Sequence, residues 1–176
     1  MTKSFVSGPL DRKARRITWI YISVIVLILV LLWHFWGEGG YILAWGASLF
    51  AAVVLLYIMS IPRKVIVSDI SVEIRCVVES VNIHFSELRT VRRLQPDEMK
   101  HKLVLLGSYG FFGYYGWYLD LDKLETINLY CKQWNNFVEI TDVFEHRYII
   151  SLVEPDKFIS AVSDARRFYS DTSAIE

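Results

Sequence analysis

ITWIYISVIVLILVLLWHFW, Ile17 to Trp36, and YILAWGASLFAAVVLLYIMSI, Tyr41 to Ile61, flank the tetrapeptide Gly37-Glu38-Gly39-Gly40 and decide what kind of chain this is. A helix rises about 1.5 Å per residue and the hydrocarbon core of a bilayer is about 30 Å thick, so each run fits one crossing. Neither run carries the polar stripe of a soluble surface helix, and in lipid only a helix satisfies its own backbone. Trp19, Trp33, Trp36 and Tyr41 stand toward the run ends, where amphipathic rings favour the headgroup boundary. The expectation is a transmembrane helical hairpin with spans 17–36 and 41–61. A cleaved signal peptide would share the basic start, but its apolar part is shorter and no second span follows it.

Working outward, Lys3, Arg12, Lys13, Arg15 and Arg16 precede the first run against the single acid Asp11, and Arg63 and Lys64 follow the second. An excess of Lys and Arg marks the cytoplasmic side, so both termini are expected there. Residues 1–16 then read as a basic cytoplasmic segment. The chain totals 19 basic and 19 acidic side chains, and because the basic ones crowd the spans, the remainder is acidic. An acidic domain repels phosphate backbones, which argues against nucleic acid as a partner. Cys76 and Cys131 lack metal-ligand spacing and sit on apolar strand faces, which predicts inert thiols and no metal or other cofactor.

Beyond Val65 the apolar pattern alternates. Val72, Ile74, Cys76 and Val78 share one face, Val81, Ile83 and Phe85 follow, and Ile127, Leu129 and Cys131 repeat the period. Asn135-Asn136 and Glu145-His146 supply turns between further short strands. Strands at this spacing without intervening helices predict an antiparallel sandwich or barrel. Glu154-Pro155-Asp156 then opens a helix whose stripe Phe158, Ile159, Val162, Ala165, Phe168 runs through about Tyr169, leaving 170–176 as a flexible tail.

The stretch LGSYGFFGYYGWY, Leu106 to Tyr118, places Gly107, Gly110, Gly113 and Gly116 every third residue among aromatics. A phosphate-cradling loop would need a following Lys and Ser or Thr, which are absent. The glycines are expected to shape the fold through positive φ and close backbone approach. Tyr109, Phe112, Tyr114 and Trp117 are the candidate partner or ligand surface. The one basic cluster, Arg89, Arg92, Arg93, Lys100 and Lys102, reads either as a solvated face or as candidate lipid-headgroup contacts. Asp120 and Asp122 alternate with leucines, the pattern of a strand's wet face, and no nucleophile motif accompanies them, so catalytic residues are not assigned.

Ile83-His84-Phe85-Ser86-Glu87-Leu88-Arg89-Thr90-Val91, the glycine and aromatic stretch, and Ile149-Ile150-Ser151 with Glu154-Pro155-Asp156-Lys157-Phe158-Ile159, all after an apolar hairpin, resemble the membrane-anchored bacterial pleckstrin-homology-like domain proteins. The resemblance implies a pleckstrin-homology-like (PH-like) domain over 62–169: a bent seven-stranded antiparallel sheet forming a barrel or sandwich, capped by a C-terminal α-helix. It implies a non-catalytic binding or adaptor module at the bacterial inner membrane, with a membrane-protein partner or a second copy of itself. Eukaryotic relatives bind phosphoinositides through a basic loop between the first two strands. Here that turn, Ser68 to Ser71, holds Asp69 and no Lys or Arg, so the activity does not carry over. Lipid sensing through Arg92, Arg93 and Lys102 is the alternative.

Overall fold

The computed structural model describes residues 2–35, 41–59 and 61–173. Its helices are α1 (Arg12–Phe35), α2 (Tyr41–Met59) and α3 (Pro155–Ser173). Its strands are β1 (Lys3–Val6), β2 (Pro62–Val67), β3 (Ser71–Cys76), β4 (Ser80–His84), β5 (Leu88–Arg93), β6 (Lys102–Tyr109), β7 (Tyr114–Asp120), β8 (Glu125–Cys131), β9 (Phe137–Asp142) and β10 (Arg147–Ser151).

Ten strands, rather than the seven expected, form two sheets: β1-β2-β3-β4 and β5-β9-β10-β8-β7-β6. They do not close into a barrel among the described residues. Pairing is antiparallel except that β10 lies parallel to β8, with Arg147 opposite Ile127. The cause is topological. The chain leaves β8, skips one position to lay down β9 beside β5, and returns as β10 into the gap. β9 and β10 are consequently covered on both faces and buried along nearly their whole length, Glu139 and Arg147 included.

One core lies between the sheets, with Val65, Val72, Ile74 and Ile83 facing Val138, Ile140 and Ile150. α3 closes it through Phe158 and Val162, whose spacing of four residues puts both on one helix face. Phe158 meets Phe5 of β1 edge to face at 5.3 Å. This mainly-β domain with its C-terminal helix fits the PH-like expectation. α3 runs on to Ser173, past Tyr169, so part of the expected tail is helical, while 174–176 lie outside the described residues.

A second core covers the outer face of the six-stranded sheet: Tyr114, Tyr118, Ile127, Leu129, Phe137 and Ile149 with Ala14 of α1. Residues 1–16, expected as a basic segment, include two pieces of the folded unit. β1 pairs with β2, and Ala14 in the first turn of α1 is buried on the sheet. β1 carries little apolar pattern of its own and is held by its ladder.

Among the described residues one stretch, Arg12–Leu31, is long and apolar enough to cross a membrane, with a mean hydropathy of 2.0. The described apolar part of α2, Trp45–Val54, is shorter. The expected linker Gly37–Gly40 lies outside the described residues, so the fold carries one candidate span rather than an evident hairpin.

Candidate functional site

The β6–β7 hairpin is built by its glycines. Gly107 and Gly116 are partners in the ladder; a Cβ on Gly107 would stand 2.1 Å from the Tyr115 carbonyl oxygen, and one on Gly116 2.3 Å from that of Leu106. Only glycine lets the two backbones come so near. All four glycines of the stretch have positive φ. The tip is fixed by Gly110 N–H donating to Gly113 O at 2.8 Å and by the Ser108 hydroxyl, which donates to Phe111 O at 2.9 Å.

Onto this tip the first turns of α1 dock. Ala14, Thr18 and Tyr21 fall at helical spacing on one face. The Thr18 hydroxyl accepts the Phe112 N–H at 2.9 Å, and its own proton reaches Ala14 O at 2.8 Å or Gly110 O at 3.1 Å. Tyr21 meets Phe111 with ring centroids 5.4 Å apart. The Lys13 ammonium donates to the Tyr109 hydroxyl at 3.2 Å and lies 4.9 Å from that ring's centroid.

Asp11 is the pivot. Its carboxylate caps α1 by accepting the Ala14 N–H at 2.6 Å, and it also accepts the Trp134 N–H at 3.1 Å and the Tyr114 hydroxyl at 3.2 Å. Burial and the Asp11 charge push the Tyr114 phenol up, which keeps it a donor. The cap signature, an Asp three residues before Ala14, was present in the sequence as the lone acid in a basic flank. Asp11→Ala should cost about 1–2 kcal/mol for the cap, and more through its two other donors. Urea unfolding followed by tryptophan fluorescence measures this, and a change under about 0.5 kcal/mol would mean that α1 does not depend on Asp11.

The four candidate surface aromatics separate. Tyr114 is fully buried among Tyr109, Trp134 and Asp11, so it is a core residue and not a partner surface. The reason is strand parity: Tyr114 and Tyr118 point to the second core. Phe112 is partly buried at the tip, and Tyr109 is half exposed beside Lys13. Trp117 faces outward and is 56% exposed, with Leu103, Leu105 and Leu106 of β6 exposed nearby on an edge strand.

Every candidate headgroup cation is held by a carboxylate. Arg89 pairs with Glu145 at 3.0 Å, Arg93 with Asp156 at 2.8 Å and Lys100 with Asp97 at 2.7 Å. Arg92 bridges Glu98 at 2.9 Å and Glu139 at 2.6 Å. Lys102 is buried against Asp120 at 2.6 Å. Arg147 completes the cluster, bonding Asp120 at 3.0 Å, Glu139 at 2.6 Å and the more exposed Glu125 at 3.3 Å.

Asp120 is thus not on a wet strand face. It is 1% exposed, while Leu121 beyond it is exposed. Alternation marks two faces without saying which is inside, and a buried Lys and Arg invert the usual assignment here. Asp122 is exposed and bonded to His101 at 2.9 Å. Cys76 and Cys131 are free and buried, and burial pushes both thiols up to about 12. Among the described residues no cluster of ligating side chains could hold a metal ion.

A family model described as "Bacterial PH domain" matches residues 63–165. No curated protein and no solved structure matches the chain significantly.

Proposed function

The chain belongs to the bacterial PH domain family, and from that premise we propose that it is a membrane-tethered, non-catalytic adaptor of the bacterial inner membrane. Domains of this class bind rather than catalyse. In this reading residues 17–36 and 41–61 both cross, Gly37–Gly40 faces outward, and residues 1–16 and the domain at 62–169 are cytoplasmic except for the β6–β7 tip, which dips into the leaflet beside Thr18 and Tyr21. The outward Ile20, Leu27, Leu29 and Val30 of α1 favour lipid over water as its surroundings.

The observation that carries the adaptor reading is the apolar face of Leu103, Leu105 and Leu106 on edge strand β6 with Trp117 of the adjoining β7. An open edge with adjacent apolar side chains is a template for adding a strand or docking a partner. Tethering raises the effective concentration of any other membrane protein, so a weak contact becomes occupied. The partner in this reading is another membrane protein or a second copy of the chain. The lipid-sensing alternative through Arg92, Arg93 and Lys102 ranks second, because headgroups would have to displace carboxylates already seated there.

The test is in-cell crosslinking with a photoreactive residue at position 106. A discrete adduct with a membrane protein or with the chain itself is expected, reduced several-fold by Trp117→Lys with folding intact. An adduct pattern no different from that of the same probe at exposed position 164 on α3 would overturn the reading.

A further inference from the structure

Between α1, α2 and the β6–β7 hairpin lies a cavity of about 290 Å³, apolar for most of its surface. Val24, Ile25 and Ile28 of α1 and Val53 of α2 wall one side; Gly107 and Phe111 wall the other. Tyr109, which also lines it, carries at its hydroxyl the Lys13 ammonium. We infer that this junction is a binding site for one anionic glycerophospholipid of the cytoplasmic leaflet, with an acyl chain in the cavity and the phosphate among Arg12, Lys13 and Arg16.

Three observations converge on that occupant. The first is charge. Arg12, Lys13, Arg15 and Arg16 are exposed, and among the described residues no carboxylate pairs with them, whereas the cations of the β5–β6 region are all neutralised internally. Asp11, the one nearby acid, is spent on the helix cap, Tyr114 and Trp134. Uncompensated cations beside an anionic leaflet attract headgroups.

The second is depth. At about 1.5 Å per residue, Tyr21 lies roughly 12 Å and Ile28 roughly 22 Å beyond Lys13 along α1. A leaflet's headgroup layer is about 6 Å and its hydrocarbon about 15 Å. A lipid with its phosphate at Lys13 thus has its chain alongside Val24 to Ile28. The third is size and polarity. Ligand pockets run from about 300 Å³ upward, so this one suits a single chain rather than a whole amphiphile. An apolar void does not recruit water.

The inference rests on α1 spanning the bilayer, and the experiment separates the two. The full-length chain is reconstituted in phosphatidylcholine vesicles doped with phosphatidylglycerol or phosphatidylcholine bearing a photoreactive group in one acyl chain, and labelled peptides are mapped. Label on the hairpin peptide containing residues 107–111 is expected, several-fold stronger from phosphatidylglycerol. Val24→Trp, or Val53→Trp should the first fail to fold, should remove that hairpin label. Lys13→Gln with Arg16→Gln should abolish the preference for phosphatidylglycerol while leaving label in place. Release of the chain by alkaline carbonate would overturn the membrane reading itself. A chain that resists carbonate but carries label only on its spans, or equal label from both lipids, would overturn this site alone.

Discussion

A chain carrying Arg147→Met is expected to lose about 3–5 kcal/mol of stability, the range measured when one partner of a buried ion pair is removed. Arg147 is the only cation that touches both Asp120 and Glu139 among the described residues, at 3.0 and 2.6 Å. Without it Lys102 still holds Asp120 and Arg92 still holds Glu139, but the buried cluster carries one more uncompensated negative charge. Since a domain's whole stability is about 5–15 kcal/mol, at least about a fifth of it is at stake. Urea denaturation of the detergent-solubilised chain reads the loss. Adding Glu139→Gln to Arg147→Met should recover part of it by removing the stranded charge. An Arg147→Met chain within about 1 kcal/mol of the native one would mean that water reaches the cluster and screens it.

The same cluster sets an acid limit. Burial pushes the Asp120 carboxyl up, but hydrogen bonds from Lys102 and Arg147 outweigh burial and hold it below its ordinary value. A carboxyl lowered on folding contributes stability above its unfolded pKa, about 3.9, and that contribution is lost as pH falls through the folded value. The native chain should therefore weaken below about pH 4, and Arg147→Met should flatten that part of the pH profile, because removing a group that favours the charged carboxylate brings the folded value back toward the unfolded one and leaves less pH-dependent stability to lose.

Particular residues show what pattern reading can and cannot reach. Alternation correctly turned Val72, Ile74 and Cys76, and Ile127, Leu129 and Cys131, toward the interior, because apolar side chains on a half-covered sheet have one low-energy face, whereas Val78 lies past the end of β3 and is exposed. The stripe likewise placed α3 through Phe158, Ile159, Val162 and Ala165, while Phe168 at its end is exposed. Asp120 went the other way, since a carboxylate enters a core only when cations come with it, and Lys102 and Arg147 lie far off in sequence. β10 paired parallel to β8 because strand order is decided by long-range contacts that a local period does not encode. The docking of α1 through Asp11 and Thr18 went unread for a related reason. A basic flank before an apolar run already satisfies the orientation rule, so nothing in it demanded a second role.

Gly116→Val is expected to abolish folding of the β domain while leaving the apolar helices able to enter the membrane. Gly116 sits at φ 106°, a region that strains any side chain, typically by about 1–3 kcal/mol. The steric clash costs more: a Cβ there would lie 2.3 Å from the Leu106 carbonyl oxygen and 2.6 Å from the Gly107 Cα, both backbone atoms that cannot swing aside. β7 would have to part from β6, and because it also pairs with β8, the shift would unseat the fully buried Tyr114 and Tyr118. Two other glycines isolate the cause. Gly46→Ala meets nothing within 4 Å on α2 and should be neutral or slightly stabilising. A Cβ on Gly8 has as its nearest neighbours the end of the Gln133 side chain, which can rotate away at small cost. The readout is the cooperative unfolding transition of the purified chain, lost for Gly116→Val and kept for the other two. A Gly116→Val chain that unfolds like the native one would show that the hairpin strands do not cross at this distance, and the platform on which α1 docks would then need a different origin.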